Sequence, residues 1–256
     1  MEASLRVPAA TGRVALVTGA ARGIGRGIAT ALAAEGLAVA VGYSSAADCA
    51  REVVAEIQAL GGRALPVALQ VEDRASVRAA LTAIRAGLGP VGVLVNNAAM
   101  AQEKPFETIS DDDWSRMMTV NLQGPFICVQ ETLPDMLAAG WGRIVNIVSI
   151  GGQWGGFNQV HYAAAKAGLI NFTRSLAKIY GGRGIVANAV SPGLVATRMT
   201  AAELDSEAGR QKVAQIPAGR IGEVEEVAAV VAFLASERAA YVLGQTINVN
   251  GGQYFG

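Results

Sequence analysis

Val14-Ala15-Leu16-Val17-Thr18-Gly19-Ala20-Ala21-Arg22-Gly23-Ile24-Gly25 is the stretch that decides the fold. An apolar run enters a glycine-punctuated turn, and the Ala-rich run Gly25–Glu35 leaves it with helical character. Val14–Val17 has no polar alternation, which suits a strand covered on both faces rather than one with a wet side. Glycines at 19, 23 and 25 let the chain turn sharply and let backbone N–H groups approach a pyrophosphate, with the positive end of the helix dipole behind them. A glycine-rich loop alone is a weak signal. One that follows a strand and opens a helix has the context that dinucleotide binding requires. Gly19, Gly23, Ile24 and Gly25 are therefore candidate cofactor contacts.

Outward from this loop the pattern repeats. Strand signals at Val39–Val41, Leu65–Leu69, Val91–Val95, Ile144–Val148, Ile185–Val190 and Thr246–Val249 alternate with helical stretches such as Ala47–Leu60, Arg74–Ala86 and Val160–Tyr180. The expectation is an α/β single-domain doubly wound parallel sheet, Rossmann-like, of about seven strands with helices on both faces. Residues 1–12 read as an N-terminal extension and 13–256 as the catalytic domain. The irregular segment 194–220 reads as a loop with one short helix, a candidate substrate lid.

Composition narrows the function. A chain of 256 residues that is 52% hydrophobic can bury one large core. Lys plus Arg and Asp plus Glu both total 21, which argues against a nucleic-acid partner. The one histidine is His161 and the two cysteines are Cys49 and Cys128. That count excludes a four-ligand His/Cys metal site and a disulfide framework, and both cysteines read as small buried apolar residues. Lysine occurs only at 104, 166, 178 and 212. The start lacks a signal-peptide pattern, and no apolar run approaches the ~20 residues that span a bilayer. No membrane association is expected, and the cytoplasm is the expected location.

The cofactor type follows from charge. An NAD site usually places an acid about 20 residues after the loop, on the ribose 2′-hydroxyl. Here that region reads Val41-Gly42-Tyr43-Ser44-Ser45, with no acid before Asp48. Ser44, Ser45 and Arg22 supply the hydroxyls and the cation that a 2′-phosphate needs, so NADP(H) is expected. The competing reading makes Arg22 a solvated loop charge and the serines caps of the next helix.

A second cluster is Tyr162-Ala-Ala-Ala-Lys166, whose end residues share one helical face. Ser149 ends the strand Ile144–Val148, at the carboxyl edge where doubly wound sheets bind ligands.

With these motifs in order, the chain from Arg13 to about Tyr254 resembles a short-chain dehydrogenase/reductase, in particular the NADP-preferring, 3-oxoacyl-[acyl-carrier-protein]-reductase-like group. The resemblance rests on Thr18-Gly19-x-x-x-Gly23-Ile24-Gly25, Asn96-Asn97-Ala98, Asn121, Ser149, Tyr162-x-x-x-Lys166, Pro192-Gly193 and Gly244-Gln245. It implies that Tyr162 protonates the substrate oxygen as hydride arrives, with its pKa lowered by Lys166. It implies that Lys166 holds the nicotinamide ribose, Ser149 the carbonyl, and Asn121 a water leading to solvent. By position, Asn97 and Ala98 line the adenosine-ribose side, and Pro192, Gly193, Val195 and Thr197 meet the carboxamide. The family usually has glycine where Ala99 stands, and aspartate where Gln70 precedes Val71; the glutamine carbonyl can still accept from an adenine amino group.

For the substrate, the loop 151–159 faces the ligand in relatives, which makes Gln153, Trp154 and Gln159 pocket candidates. Trp154 reads equally as a pocket wall or as core, Trp114 as packing, and His161 as structural or pocket-edge. A 3-oxoacyl thioester and a small or polyketide-like ketone both fit. Carrier-protein-dependent relatives carry two basic positions; one is matched by Arg183 and the other falls at Gly140, so an acyl-carrier-protein partner stays open. A sugar or polyol dehydrogenase and a catalytically silent NADP(H) sensor are the competing readings. Apolar surface on the helices around Val120–Leu137 and Val160–Tyr180 fits the homotetramer that the resemblance implies, built on helix pairs and the C-terminal strand.

Overall fold

A computed structural model describes residues 12–197 and 207–256. The expected N-terminal extension and the middle of the expected lid thus lie outside the described residues. The strands are β1 (Val14–Val17), β2 (Ala38–Tyr43), β3 (Ala64–Ala68), β4 (Val91–Asn96), β5 (Gly142–Ile147), β6 (Ile185–Pro192) and β7 (Thr246–Val249). They form one sheet of order β3-β2-β1-β4-β5-β6-β7, parallel throughout. The chain winds one way from β1 to β3 and the other way from β4 to β7. A crevice opens where the order reverses, between β1 and β4, and this is where such sheets bind ligands.

Helices α1 (Gly23–Ala34), α2 (Ala47–Ala59), α3 (Arg74–Gly87), α4 (Asp111–Met118), α5 (Gly124–Ala139), α6 (Gly151–Trp154), α7 (Val160–Tyr180), α8 (Glu207–Ala214) and α9 (Val224–Leu234) connect the strands. Strand side chains alternate between two cores, as the period of two requires. Ala15 and Val17 join Ile28, Leu32, Val53 and Val231 of α1, α2 and α9. Val14 and Leu16 join Leu81, Ile127, Met136 and Leu176 of α3, α5 and α7. The central strands are buried on both faces, which is why they read as continuous apolar runs, whereas the edge strands β3 and β7 are partly open.

The predicted bounds of β1, β7 and α7 match the structure. β5 starts earlier than predicted, at Gly142, where a Cβ would press on Met136 Sδ at 2.7 Å. The helix read around Val120–Leu137 is a π turn, Thr119–Gln123, running straight into α5. The segment 194–220 does carry one short helix among its described residues, α8. No helix among the described residues is long and apolar enough to cross a membrane.

Candidate active site

The carboxyl edge of the sheet is built first by Thr18. Its buried Oγ1 accepts from the backbone N–H of Asn97 at 3.0 Å and of Ala98 at 2.9 Å. Asn97 Nδ2 donates back to the carbonyls of Thr18 and Gly19, at 3.0 and 3.1 Å. The ends of β1 and β4 are thereby stitched together. The loop fits beneath this stitch only without side chains. Gly19 has φ +64°, and a Cβ there would lie 2.9 Å from Ala98 Cα; a Cβ on Gly25 would lie 2.3 Å from the Gly19 carbonyl. Arg22 is the N-cap of α1, yet no side chain caps the helix and its first turn holds no acid. Its leading N–H groups are left to an anion, with the helix dipole aligned behind them. This cradle fits a dinucleotide pyrophosphate.

The adenosine side is a cleft of about 280 Å³ whose lining includes Gly19, Ser44, Val71, Ala98 and Ala99. Ala99 is exposed there, so its methyl narrows the cleft. Gln70 is exposed, with its backbone N–H held by Ser76 Oγ at 3.0 Å. Ser44 and Ser45 are exposed, and the capping reading fails: the N-cap of α2 is Ala46, and no side chain caps it. The chain enters the helix a residue too late for either serine. Arg22 Nε donates to Cys49 Sγ at 3.4 Å, which ties the guanidinium to α2 on the serines' side of the loop. Asp48, the nearest acid, is taken by Arg51. The serines and Arg22 fit a 2′-phosphate. Cys49 is therefore half-buried beside a cation rather than a buried apolar residue, whereas Cys128 is buried and its thiol is pushed up to about 12 by desolvation.

On the nicotinamide side, Gly193 N–H donates to Val249 O at 3.0 Å, Val195 is buried and bridges to Gly222, and the Thr197 methyl lies 3.7 Å from a Cβ placed on Gly23. Ile24 sits half-buried in the loop helix.

Ser149 follows β5, while Tyr162 and Lys166 project from α7. Lys166 is buried, donates from Nζ to Ile147 O at 2.8 Å, and lies 5.6 Å from the centre of the Tyr162 ring. Burial lowers its pKa to about 8. The Tyr162 phenol moves the other way: burial raises its pKa, opposed by a hydrogen bond with Ser149. Lys166 Nζ is engaged by a carbonyl and desolvated, so in the chain by itself burial outweighs its pull on the phenol, and the positive nicotinamide ring is the remaining contributor to the lowering that the resemblance implies.

Asn121 occupies the π turn, a distortion that recurs at functional sites. Its Nδ2 donates to the carbonyls of Met100 and Met117 at 3.0 and 3.1 Å, and its buried Oδ1 has no partner. The Gln153 amide donates to Ser191 Oγ at 2.9 Å and Asn248 Oδ1 at 2.6 Å, tying α6 to β6 and β7. Gln159 donates to Glu103 at 3.1 Å. Trp154 is 56% exposed, so it does not fill the core. Trp114 is 41% exposed, contrary to a packing role, because α4 turns its buried face through Met117 instead. His161 is structural: it is fully buried, with Nε2 2.9 Å from Gln102 Oε1, and Gln102 donates in turn to Asp113 at 3.0 Å.

Thr18 and Asn96 enter the sequence reading only as motif residues, without the supporting roles seen here, and Asn146 and Thr173 escaped it. Asn96 Nδ2 donates to Asn146 and Asn146 Nδ2 donates to Thr173, both at 2.8 Å. The available signal was a lone asparagine inside the apolar run Ile144-Val145-Asn146-Ile147.

A parallel sheet with an anion cradle at its reversal point and a Ser–Tyr–Lys cluster beside it marks a nicotinamide-dependent oxidoreductase, and the chain belongs to the short-chain dehydrogenase/reductase family. Residues 19–253 match the family model described as Enoyl-(Acyl carrier protein) reductase. The chain is 42% identical over 240 residues to the 3-oxoacyl-[acyl-carrier-protein] reductase FabG of Staphylococcus aureus (strain N315), covering 94% of this chain and 97% of the relative. It is 42% identical over 243 residues to FabG of Salmonella typhimurium (strain LT2), covering 95% and 98%. A gluconate 5-dehydrogenase from Burkholderia cenocepacia J2315, solved in complex with NADP and tartrate, superposes with a TM-score of 0.90 at 34% identity over 95% of each chain. The chain is an NADP(H)-dependent oxidoreductase acting on CH-OH/C=O groups.

Two outcomes follow from this geometry. Arg22→Ala should raise KM for NADPH about tenfold while leaving that for NADH nearly unchanged, since only the former carries the extra phosphate; equal effects on the two cofactors would reject the Arg22 assignment. Lys166 is charged below its pKa of about 8 and loses that charge, with its pull on a phenolate, above it. The free-enzyme profile of kcat/KM for ketone reduction should therefore fall above this point, and a profile flat through it counts against the assignment.

Proposed function

We propose that this protein reduces the ketone of a 3-oxoacyl thioester to a secondary alcohol, with Tyr162 as general acid. The observation that carries the reading is the placement of Ser149, Tyr162 and Lys166 on two adjoining elements at the carboxyl edge, beside the cradle. Bound NADPH supplies the hydride and, once oxidised, a positive ring that favours phenolate. Tyr162 Oη–H gives its proton to the carbonyl oxygen, and Ser149 Oγ–H donates a hydrogen bond to the same oxygen as charge develops. The carbonyl thus gains one hydride and one proton, and a phenolate remains. Lys166 stabilises that phenolate, and the unpartnered Asn121 Oδ1 is placed to hold a water through which the proton returns.

The acyl substrate is supported by the FabG relatives and by the aromatic side chains beside the site, Trp154 and the fully exposed Phe157. Arg183 is exposed and stacks over Tyr180 at 5.9 Å, with uncharged Gly140 beside its turn. With a single cation at this place, we assign recognition mainly to the thioester's acyl part, with an acyl-carrier protein as the carrier that Arg183 would meet. The gluconate 5-dehydrogenase likeness favours a second reading, a polyol dehydrogenase. We place the enzyme in the cytoplasm as a homotetramer. In support, Phe126 and Phe172 present an edge-on pair, with centroids 6.4 Å apart, beside an apolar groove between α5 and α7. Sedimentation as a monomer at micromolar concentration would contradict the assembly.

The deciding assay is NADPH oxidation over acetoacetyl thioesters and diketones, set against NADP reduction over gluconate. Turnover with gluconate alone would sink the thioester reading. Tyr162→Phe should lose roughly 10²–10⁴-fold in kcat while NADPH binding by calorimetry is largely kept.

A further inference from the structure

After β7 the chain turns through Gly251 and Gly252, at φ +62° and +88°. Asn250 holds the turn: its Oδ1 accepts from Gly252 N–H at 3.0 Å and its Nδ2 donates to Tyr254 O at 3.0 Å. The C-terminal segment 250–256 is therefore folded onto itself, and three of its outward contacts bear on the site. Gln253 Oε1 accepts from Leu194 N–H at 3.3 Å, immediately after Pro192-Gly193. A Cβ on Gly193 would meet that oxygen at 2.4 Å, so the fit is close. Ala218 N–H donates to Gly251 O at 2.9 Å, which joins the segment to the base of the 194–220 loop. The Tyr254 ring meets Trp154 edge-on, centroids 6.2 Å apart and planes at 72°.

Trp154 lies between Ser149 and Tyr162 in the chain. One segment thus touches the substrate loop, the nicotinamide-side turn and the base of the candidate lid. A cavity of about 480 Å³ lies against it, lined in part by Leu194, Ile216, Tyr254 and Phe255. The charged side chains on its described lining are Arg220 and Glu226, joined by two hydrogen bonds of 2.6 and 2.8 Å. A polyhydroxylated acid would find no unpaired cation there. Apolar carbon would find aromatic faces, with Phe255 83% exposed at the rim.

We infer that the segment 250–256 is a wall of the substrate site, with Tyr254 as the specificity-determining partner of Trp154, and that this wall receives the apolar end of the ketone, distal to the reacting carbonyl. The inference rests on the thioester reading above for its choice of substrate series.

The test measures kcat and KM with NADPH over 3-oxobutanoyl, 3-oxohexanoyl and 3-oxodecanoyl N-acetylcysteamine thioesters, for wild type, Tyr254→Ala and Tyr254→Phe. Tyr254→Ala should lose about tenfold in kcat/KM on the longest substrate, through KM, with little change on the shortest and none in NADPH affinity; Tyr254→Phe should restore it. Equal loss on all three thioesters, or no loss on any, overturns the inference. If wild type reduces none of them, the thioester reading fails on its own, and the same variants are run on cyclic and aromatic diketones of rising size. A size-graded loss there upholds the wall, and a uniform loss or none overturns it.

Discussion

The stitch between Thr18 and Asn97 is the contact on which the rest of the site depends. Where two halves of a parallel sheet diverge, the backbone at the strand ends has no neighbouring strand to pair with. One hydroxyl and one amide resolve this: Thr18 Oγ1 takes two N–H groups from the end of β4, and Asn97 Nδ2 gives to two carbonyls of the loop after β1. With those groups satisfied, the leading N–H groups of α1, which no side chain caps, are left for an anion. Glycine at 19 and 25 follows from the same contact, because the stitched segments pass too close for any side chain.

The reacting groups show a different balance. Lys166 is buried and Tyr162 half-buried, which raises the cost of charging either one, and burial is the largest cause of both shifts. The protein holds Lys166 on a carbonyl of β5 and Tyr162 against Ser149, so the geometry is in place before the charges favour reaction. The chain thus stores position, and the remaining electrostatic pull enters with the ligands.

Much of this was legible in the sequence, and what was not has identifiable causes. Strand runs without polar alternation announced a sheet covered on both sides, and glycine spacing announced the cradle, because each is a local consequence of backbone physics. The roles of Gln153 and Cys49 were not legible, since they depend on which neighbour each side chain meets: Ser191 and Asn248 for one, Arg22 for the other. How far burial opposes the pull of Lys166 on Tyr162 was not legible either, because proximity along a helix says nothing about how much water is removed. The π turn at Asn121 carries no periodic mark, so it read as plain helix. The place of the C-terminal segment could be found only from tertiary contacts.

Helix α7 is pinned at three heights: His161 to Gln102, Lys166 to Ile147, and Thr173 to Asn146. Proton donor and lysine therefore move as one rigid body fixed to the sheet. Variation in what is reduced falls to the surrounding loops and the chain's end, none of which carries Tyr162 or Lys166. A changed loop residue therefore alters what meets Tyr162 without moving Tyr162 relative to Lys166.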